Sequence, residues 1–453
     1  MKSFKTIILA AGEGTRMKSK KPKVFHELFH TPMICHVIKA AEHCNTEALC
    51  VVVGHKAEEV KKAIGNKNVS FALQQQQMGT GHAVMQAMDF IEEDKNILIL
   101  YGDTPLITKE SLQELLTFHE KENNSVSIVS AILENPAGYG HIIRDEKGNF
   151  LKNIEHKDAS EEQKLIKEIN TGIYCFKGAD LKKALSQLTN DNAQGEYYLP
   201  DTLEIILQYG GKVNALITTD ASAFFGVNSR AQLAEAISIM QKRINKKHME
   251  NGVTILSPEN TWIDPEVEIG QDTILYPNTI IEGNTVIGQD CSIGPNAKLT
   301  NMIIENEVQL QYSVAMNSTI GNGANIGPFA YIRPDCHIGD GVKVGDFVEV
   351  KNSTIGNGTK IPHLTYVGDT DAGEKINFGC GSITVNYDGS KKHRTIVEDN
   401  VFVGCNANLV APVTIKKGSY IAAGSTITRD VPEEVLAVAR ARQQIIEGWV
   451  KKH

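Results

Sequence analysis

The stretch "IGQDTILYPNTIIEGNTVIGQDCSIGPNAKL" (residues 269–299) returns to an aliphatic side chain at every sixth position. These positions are Ile269, Leu275, Ile281, Ile287, Ile293 and Leu299. Neither the period of an α-helix nor the alternation of a β-strand accounts for this spacing. Each six-residue unit is therefore interpreted as one short strand and a turn, and stacked units bring the aliphatic side chains into a continuous apolar interior. The pattern predicts a parallel β-helix of hexapeptide repeats.

The same period extends over much of the C-terminal half. After a slip in phase the aliphatic positions resume at Ile320, Ile326, Ile332, Ile338, Val344 and Val350, then at Ile355, Ile361 and Val367, and finally at Val403, Leu409, Ile415, Ile421 and Ile427. Small or medium residues recur four positions after an aliphatic one, at Thr273, Thr279, Thr285, Cys291 and Ala297. We expect the repeat to be lost between Val367 and Val403. Function is expected there, because insertions form loops on the surface of a solenoid.

The first half of the chain follows a different pattern, in which strand-like and helix-like segments alternate. "KTIILAAG" (5–12), "ALCVVVG" (48–54), "NILILYGD" (96–103) and "SVSIVSAIL" (125–133) are typical of buried strands, and "PMICHVIKAAEHC" (32–44) and "TGHAVMQAMDFIEE" (80–93) of helices. This alternation predicts a mostly parallel sheet covered by helices. Ligands bind such sheets at the carboxyl ends of the strands.

Three regions follow from these patterns. We expect an α/β domain over residues 1–228, a connecting helix over 229–251 and a β-helix domain with a C-terminal tail over 252–453. The connecting helix is predicted from an apolar stripe formed by Leu233, Ile237, Met240 and Ile244.

Composition excludes several classes of protein. A net charge of −8 argues against a nucleic-acid-binding protein, which needs positive charge to displace counterions from phosphates. No apolar run approaches the roughly 20 residues that span a membrane, so no membrane insertion is expected. The eight cysteines contain no CxxC pair, which predicts reduced thiols in a cytoplasmic protein.

The loop "LAAGEGTRMKSKKPKVF" (9–25) predicts a phosphate-binding site. It lacks the GK[ST] ending of a Walker A loop, and Met17 stands where a dinucleotide-binding loop has its third glycine. Gly12 still allows the backbone to approach an anion. Arg16 suits bidentate contact with a phosphate, and Lys23 suits a point charge on a leaving pyrophosphate. The alternative is that the lysines of this loop form a solvated surface.

Several motifs in this half resemble those of sugar-nucleotide pyrophosphorylases. The loop is followed, in that family's order, by "QQQQMGTGHA" (74–83), "LYGDTPLI" (100–107), "GYGHIIR" (138–144), "IEHKDA" (154–159), "INTGIY" (169–174), "NAQGEYYLPD" (192–201) and "GVNSRAQL" (226–233). The repeat region adds "HLTYVGD" (363–369), "NFGCGSITVNYDG" (377–389) and "LVAPVTI" (409–415). Together these resemble the bacterial family of bifunctional N-acetylglucosamine-1-phosphate uridyltransferases/glucosamine-1-phosphate N-acetyltransferases. The resemblance implies a Rossmann-like nucleotidyltransferase domain followed by a left-handed parallel β-helix.

For the first half, the resemblance implies uridylyl transfer from UTP to N-acetylglucosamine 1-phosphate with release of pyrophosphate. Arg16 and Lys23 would be catalytic, and Mg²⁺ would take oxygens from Asp103 and Asn228. The residues expected to bind UTP or the UDP-sugar are Leu9, Ala10, Ala11, Gly12, Lys23, Gln74, Gly79, Thr80, Tyr101, Gly140, Glu155, Asn170 and Asn228. A tight turn at Gly140, a surface carboxylate at Glu155 and a structural cap at Asn170 are the alternatives.

For the second half, the resemblance implies acetyl transfer from acetyl-CoA to glucosamine 1-phosphate. His363 is the expected general base, because histidine titrates in the range needed to deprotonate an ammonium. The residues expected to bind the sugar phosphate are Arg333, Lys351, Tyr366, Asn377 and Lys392. Those expected to bind acetyl-CoA are Cys380, Asn386, Tyr387, Cys405, Ala423 and Arg440. A homotrimer formed through the β-helix is also implied, with the acetyl site between subunits.

Two positions depart from the family pattern. Cys380 stands where alanine is usual and Cys405 where serine is usual, which predicts that acetyl transfer is unusually sensitive to thiol reagents. Two rival functions remain. One is a single-activity pyrophosphorylase whose β-helix serves regulation or oligomerisation, and the other is a binding protein that has lost catalysis. "HLTYVGD" with Arg333 and Lys351 argues against the first, and retention of Arg16, Lys23, Asp103 and Asn228 argues against the second.

Overall fold

A computed structural model describes residues 3–65 and 68–451 of the protein. The chain divides into two compact units, Met1–Met240 and Gln241–His453. A helix over Arg230–Glu250 occupies the segment expected to connect the two domains. No helix in the described ranges is both long enough and apolar enough to cross a lipid bilayer.

The first unit is built on a mixed sheet whose central strands are parallel. Its strands, with a small separate hairpin formed by β2 and β3, are β1 Phe4–Ala10, β2 Glu27–Leu28, β3 Thr31–Pro32, β4 Ala48–Val53, β5 Ser70–Leu73, β6 Asn96–Tyr101, β7 Val126–Ile132, β8 His141–Arg144, β9 Phe150–Ile154, β10 Glu168–Lys177 and β11 Val213–Ile217. The order across the sheet is β11-β7-β10-β6-β1-β4-β5, with β8 and β9 attached to β10. β10 runs antiparallel to both of its neighbours in this order, while β1 pairs in parallel with β4 and β6.

Helices cover this sheet. They are α1 Met33–His43, α2 Ala57–Ile64, α3 Thr80–Met85, α4 Lys109–Lys121, α5 Gly178–Leu185 and α6 Asp201–Gln208, and the helix Arg230–Glu250 follows them in the chain as α7. Side chains of β1 are buried on both faces of the sheet, in two apolar clusters, which explains its nearly continuous aliphatic sequence. The long helix predicted over residues 80–93 is wrong in its extent. It ends at Met85 and is followed by a short 3₁₀ turn over Met88–Phe90, because bonds over three residues tighten the end of the helix.

The second unit is a parallel β-helix whose coils contribute one short strand to each of three sheets. The first sheet contains Thr254–Ile255, Ile274–Leu275, Ser292–Ile293, Gln309–Leu310, Asn325–Ile326, Lys343–Asp346, Lys360–His363, Asn377–Phe378, Phe402–Val403, Tyr420–Ile421 and Leu436–Ala437. The second contains Trp262–Ile263, Ile280–Glu282, Lys298–Thr300, Val314–Met316, Tyr331–Ile332, Glu349–Lys351, Tyr366–Gly368, Ile383–Val385, Asn408–Val410 and Thr426–Ile427. The third contains Glu268–Ile269, Val286–Ile287, Ile303–Ile304, Thr319–Ile320, His337–Ile338, Thr354–Ile355, Thr370–Ala372, Thr395–Val397 and Val413–Ile415.

The aliphatic residues of the six-residue period form the interior of this β-helix, and most of them are fully buried. The threonines that follow four positions later support the turns. Thr279 Oγ1 donates to the carbonyl of Tyr276 at 2.7 Å, and Thr285 Oγ1 donates to that of Glu282 at the same distance. These hydroxyl groups satisfy buried carbonyl oxygens, which would otherwise be costly to bury.

The phase slips come from shortened coils. Leu275 pairs with Ile293, eighteen residues later, whereas Leu299 pairs with Ala315, only sixteen residues later. A turn that is one or two residues shorter therefore changes the period in the sequence without interrupting the stack.

The predicted loss of the repeat between Val367 and Val403 is largely wrong. Ala372, Phe378 and Thr384 continue the buried column, and Phe378 pairs directly with Val403. The pattern was missed because alanine, phenylalanine and threonine are not branched aliphatic residues. The interruption is confined to a loop over residues 386–394, between the strands Ile383–Val385 and Thr395–Val397.

Candidate active sites

A cavity of about 420 Å³ opens at the carboxyl ends of β1, β5 and β6. These ends carry Leu9 to Gly12, Gln74, and Tyr101 to Asp103, respectively. The cavity is lined by Leu9, Ala10, Ala11, Gly12, Lys23, Val24, Gln74, Gln77, Gly79, Thr80, Ala83, Tyr101, Asp103, Glu196 and Asn228. The structure therefore brings most residues predicted to bind the nucleotide to one place.

A cluster of charged and amide side chains lies at one wall of this cavity. Lys23 forms an ion pair with Asp103 and donates from Nζ to Oδ1 of Asn228 at 2.5 Å. Arg16 donates from Nη2 to the same Oδ1 at 2.8 Å. The side chains of Lys23 and Asp103 are only 14% and 18% exposed, so the pair is shielded from bulk water. Two cations and one carboxylate thus converge where a triphosphate would enter.

The donor set of this cluster fits Mg²⁺. Asp103 offers a carboxylate and Asn228 an amide oxygen, and Mg²⁺ prefers such hard oxygen ligands while keeping several waters. The Lys23 ammonium bridges both oxygens, which shows that they converge on a point where a cation is favourable. Across residues 3–65 and 68–451, no group of three or more histidine, cysteine, aspartate or glutamate side chains is arranged to hold a metal ion.

The glycines of this site allow close approach of backbone segments. Gly14 has a φ of +65°, and a Cβ there would lie 2.4 Å from Cβ of Lys23. Gly79 has a φ of +103°, and a Cβ there would lie 2.6 Å from the carbonyl oxygen of Tyr197. A side chain at either position would displace the residues that line the cavity.

A second cavity of about 320 Å³ shares Thr80, Tyr101 and Glu196 with the first. It is lined by Thr80, Tyr101, Gly138, Tyr139, Gly140, Glu155, Asn170, Thr171, Gly172, Tyr174, Gln194, Glu196, Tyr198 and Pro200. Gly140, Glu155 and Asn170, which are among the residues predicted to bind UTP or the UDP-sugar, therefore lie together beside the first cavity. Two adjoining cavities of this size suit a two-part product such as a nucleotide sugar.

The polar groups of the second cavity are partly desolvated. Burial raises the pKa of the Glu155 carboxyl, and its Oε1 accepts a hydrogen bond from Asn153 Nδ2 at 3.2 Å. Burial also raises the pKa of the Tyr101 hydroxyl. Asn170 is buried, and its amide donates to the Tyr174 hydroxyl at 2.7 Å. Glu155 is thus not the surface carboxylate of the alternative interpretation, whereas Asn170 also has a structural role.

The candidate acetyl site contains a histidine and carboxylate pair. His363 Nδ1 and Asp346 Oδ1 lie 2.6 Å apart, and the two residues pair across adjacent coils. Because an ionised carboxylate only accepts, Nδ1 carries the proton and Nε2 is left as the basic atom. The hydrogen bond from His363 lowers the pKa of Asp346. This arrangement orients the imidazole as a general base requires.

Two lysines gather beside Asp369 on the second sheet. The Lys351 ammonium lies 3.8 Å from the Asp369 carboxylate. Lys351 is also within hydrogen-bonding distance of Lys392, and this contact lowers the pKa of Lys392. Asp369 also accepts from Asn386 Nδ2 at 2.5 Å, and Asn386 Nδ2 lies 3.2 Å from the Tyr366 hydroxyl. Two adjacent ammonium groups disfavour each other, so a doubly charged phosphate would be stabilised between them.

Other predicted residues lie outside these contacts. Arg333 donates to Glu349 at 2.8 Å, while Tyr387 is half-exposed and donates to the carbonyl of Gly389 at 2.8 Å. Asn377 belongs to the outward face of the first sheet, where it pairs with Lys360 and Phe402. Arg440 Nη1 donates to the carbonyl of Ala423 at 2.7 Å, so those two predicted residues do meet.

Sequence reasoning missed several residues of the two sites. Gln77 Nε2 donates to the carbonyl of Ala11 at 2.6 Å, and Glu196 lines both cavities of the first unit. Both lie in motifs that the resemblance had already singled out. Asp346 was also missed, although it and His363 each follow a buried aliphatic position by two residues. That shared offset is a signal the sequence contains.

Comparisons with known protein families cover most of the chain. Residues 5–264 match the family described as Nucleotidyl transferase. Residues 266–301, 317–352 and 394–429 match the family described as Bacterial transferase hexapeptide (six repeats).

Relatives named Bifunctional protein GlmU align along the whole chain. That of Acetivibrio thermocellus is 53% identical and covers 100% of this chain and 98% of its own length. Those of Caldanaerobacter subterraneus subsp. tengcongensis and Thermoanaerobacter pseudethanolicus are 55% and 56% identical, with the same coverage. The predicted fold class, an α/β nucleotidyltransferase followed by a left-handed parallel β-helix, is confirmed. The chain belongs to the family of bifunctional GlmU proteins, enzymes that join a nucleotidyltransferase to a hexapeptide-repeat acyltransferase.

Proposed function

We propose that this chain makes UDP-N-acetylglucosamine in two steps, each carried out by one domain. As a member of the GlmU family it is a bifunctional uridyltransferase and acetyltransferase. The β-helix domain, residues 252–453, acetylates glucosamine 1-phosphate, and the α/β domain, residues 1–228, couples the product to UTP. The resulting nucleotide sugar supplies peptidoglycan and lipopolysaccharide precursors. The alternative of a single-activity pyrophosphorylase is not favoured by relatives that are bifunctional over their whole length.

The observation that carries the first activity is the convergence of Arg16, Lys23, Asp103 and Asn228 at the wall of the nucleotide cavity. In uridylyl transfer a phosphate oxygen of the sugar attacks the α-phosphorus in line, so the protein has to position the reactants and neutralise charge. Arg16 and Lys23 do the latter. When pyrophosphate leaves, Lys23 stabilises the charge that develops on it.

A bound Mg²⁺ would be held by Asp103 and Asn228 and would neutralise phosphate charge. Lys23 now occupies the point between these two oxygens. With a metal ion held by these two oxygens, the Lys23 ammonium would be free to contact the phosphates. Gln74 and the Gly79–Thr80 backbone then contact the uracil, and Glu155 accepts hydrogen bonds from sugar hydroxyl groups.

The second activity uses acetyl-CoA as acetyl donor. His363 takes a proton from the ammonium of glucosamine 1-phosphate at Nε2, and the free amine attacks the thioester carbonyl. The C–N bond forms, the C–S bond breaks, and the coenzyme leaves as a thiolate that takes up a proton. Asp346, hydrogen-bonded to Nδ1 at 2.6 Å, stabilises the imidazolium that forms. Arg333, Lys351 and Lys392 attract the sugar phosphate. Cys380, Asn386, Cys405, Ala423 and Arg440 line the path of the coenzyme.

A homotrimer through the β-helix is supported by a column of exposed apolar side chains. Tyr312, Phe329, Phe347 and Leu364 are 41%, 53%, 58% and 57% exposed and follow one another on successive coils. The rings of Phe329 and Phe347 stack with centroids 5.5 Å apart. All four residues have φ between +46° and +57°, a conformation that costs about 1 kcal/mol or more for residues other than glycine. Contact with further copies of the chain would bury this column. The column ends at Leu364, the residue that directly follows His363.

The trimer is tested by sedimentation of wild type and of Phe347→Ser. We expect a trimer for the wild type and a shift toward smaller species for the variant. A wild-type monomer at micromolar concentration would contradict it.

A cytoplasmic location is proposed on the basis of the eight cysteines, all of which are free thiols.

The function itself is tested by separating the two reactions. Lys23→Ala should lose uridylyl transfer from UTP to N-acetylglucosamine 1-phosphate, and His363→Ala should lose acetylation of glucosamine 1-phosphate. Each variant should keep the reaction that the other loses. Loss of both reactions in either folded variant would contradict the division between domains.

A further inference from the structure

A column of functional side chains follows one edge of the β-helix beside the candidate general base. His363, Cys380, Cys405 and Ala423 each lie two residues after a buried side chain of the first sheet, namely Ile361, Phe378, Val403 and Ile421. The strands that carry these residues pair in register as immediate neighbours. The two thiols therefore occupy adjacent coils, and Cys380 is one coil away from His363.

Backbone contacts keep the two cysteines close. Asn406 N donates to the carbonyl of Cys380 at 2.8 Å, and Gly379 N donates to the carbonyl of Val403 at 2.7 Å. Each cysteine follows a glycine, and a Cβ added at Gly379 would lie 2.5 Å from the backbone nitrogen of Cys405. Neighbouring strands are about 4.8 Å apart. Disulfides join Cα atoms that are about 4.4–6.8 Å apart, so this spacing is compatible with one.

These two thiols differ from the other cysteines of the β-helix in exposure. Cys405 is exposed and Cys380 is partly exposed, whereas Cys291 and Cys336 are fully buried in the interior. Burial raises the pKa of both interior thiols, which lowers their reactivity further. Reaction with a reagent in solution should therefore begin at Cys405.

We propose that Cys380 and Cys405 form a reactive thiol pair that takes low-molecular-weight organic disulfides, and that the resulting bond closes the coenzyme path beside His363. The inference rests on the proposed acetyl transfer only for its effect on activity. The thiol chemistry itself follows from the placement of the two side chains.

The chemistry is two successive thiol–disulfide exchanges. The Cys405 thiolate attacks one sulfur of the small disulfide, which forms a mixed disulfide and releases one small thiolate. The Cys380 thiolate then attacks the Cys405 sulfur, which releases the second small thiolate and leaves a Cys380–Cys405 bond. The two protein thiols are oxidised, the small disulfide is reduced to two thiols, and the protons of the cysteines pass to those thiols.

The bond is tested directly by peptide mapping after incubation with oxidised glutathione. Trypsin releases the two cysteines in separate peptides, residues 376–391 and 395–416, each with a single cysteine. We expect these peptides to appear as one disulfide-linked species, from a chain that migrates as a monomer on a non-reducing gel. Linkage between two chains, or free peptides after full incubation, would overturn the proposal.

Activity provides the second readout. In the wild type, the rate of acetylation should fall by about 10-fold or more on oxidation, because even a small displacement of reacting groups slows a reaction strongly. The rate should return when dithiothreitol is added. The double variant Cys380→Ala/Cys405→Ser, oxidised in the same way, should keep the rate of acetylation that it has before oxidation. Cys35→Ser, a control in the other unit, should lose activity on oxidation as the wild type does. Uridylyl transfer should not change in any sample.

The two proposals fail in distinguishable ways. An oxidised double variant that loses the same fraction of acetylation as the wild type would overturn the role of the thiol pair. A reduced wild type that makes no acetylated sugar phosphate would contradict the proposed function, while the peptide map would still decide whether the bond forms.

Discussion

The two candidate sites differ in how much of the binding surface each unit encloses. In the α/β unit the nucleotide cavity holds about 420 Å³, and the Lys23 and Asp103 side chains are 14% and 18% exposed. In the β-helix the His363 and Asp346 side chains are 56% and 39% exposed. Loops that meet at the ends of parallel strands form a concave site within one chain. A regular solenoid instead presents the side chains of successive coils in columns on an open face.

The largest expected effect comes from the enclosed site. Lys23→Ala removes the cation that contacts both Asp103 and Asn228, so we expect uridylyl transfer to fall by roughly 10³-fold. Steady-state release of pyrophosphate measures it. Lys18→Ala changes an exposed lysine of the same loop and is the control. It should alter the rate by less than about 2-fold, because solvent and salt screen the charge of an exposed lysine. A Lys23→Ala variant that keeps its rate as fully as Lys18→Ala does would favour the alternative of a merely solvated lysine run.

The open site should depend on orientation of its base. Asp346→Asn keeps the size of the side chain but removes the charge that stabilises a protonated His363, so kcat for acetylation should fall by about 10-fold to 100-fold. Asp335→Asn, an exposed aspartate on a neighbouring coil, is the matched control. An unchanged kcat in Asp346→Asn would show that the carboxylate does not position the base.

Burial gives the enclosed site a pH dependence. Since burial raises the pKa of Glu155, this carboxyl group becomes protonated at a higher pH than an ordinary glutamate, and its protonated form is a poorer acceptor for the sugar hydroxyl groups. The KM for N-acetylglucosamine 1-phosphate should therefore rise as pH falls, from a higher pH than an exposed glutamate would produce. Glu155→Gln should show a raised KM that no longer varies with pH in this range.

The control for this pH effect is Glu161→Gln. Glu161 is exposed, and its hydrogen bond to Lys164 lowers its pKa, so it stays ionised in the range tested. A wild-type KM that varies with pH no more than that of Glu155→Gln would contradict the role given to Glu155.

The smallest effect concerns stability near the sugar cavity. Burial, together with the nearby carboxylates Glu204, Glu155 and Asp158, raises the pKa of Asp201 to about 6. An acid whose folded-state pKa is raised binds more protons when folded, so its ionisation destabilises the fold as pH rises toward 6. Asp201→Asn should raise the melting temperature at pH 7 by about 2–4 °C and by less at pH 4. Thermal unfolding followed by circular dichroism measures this difference, and a lower melting temperature at pH 7 would contradict it.

Local patterns explain how much of the fold was predictable. Ile7, Val51 and Ile99 belong to short runs rich in β-branched residues. These side chains are fully buried in the parallel sheet, and such burial requires an apolar composition. The six-residue period was readable for the same reason, because most of the aliphatic side chains that recur at this spacing are buried in the interior. The coils around Phe378 and Thr384 were missed, since the buried position tolerates residues outside the aliphatic class.

Long-range contacts explain what remained hidden in the sites. Lys23 and Asn228 are 205 residues apart, and nothing in either segment shows that they share a hydrogen bond. Only the resemblance placed both at one site. The Asp346 and His363 pair was accessible in principle, because both follow a buried residue by two positions. The adjacency of Cys380 and Cys405 required Phe378 to be recognised as part of the interior.

We propose that the β-helix carries its own catalytic base, His363, and is more than a scaffold. The first experiment is mass spectrometry of the products that wild type and His363→Ala form from acetyl-CoA and glucosamine 1-phosphate without UTP. We expect acetylated sugar phosphate from the wild type and a loss of about 10²-fold or more in the variant. A folded wild type that makes no such product, yet still couples UTP to N-acetylglucosamine 1-phosphate, would contradict this proposal.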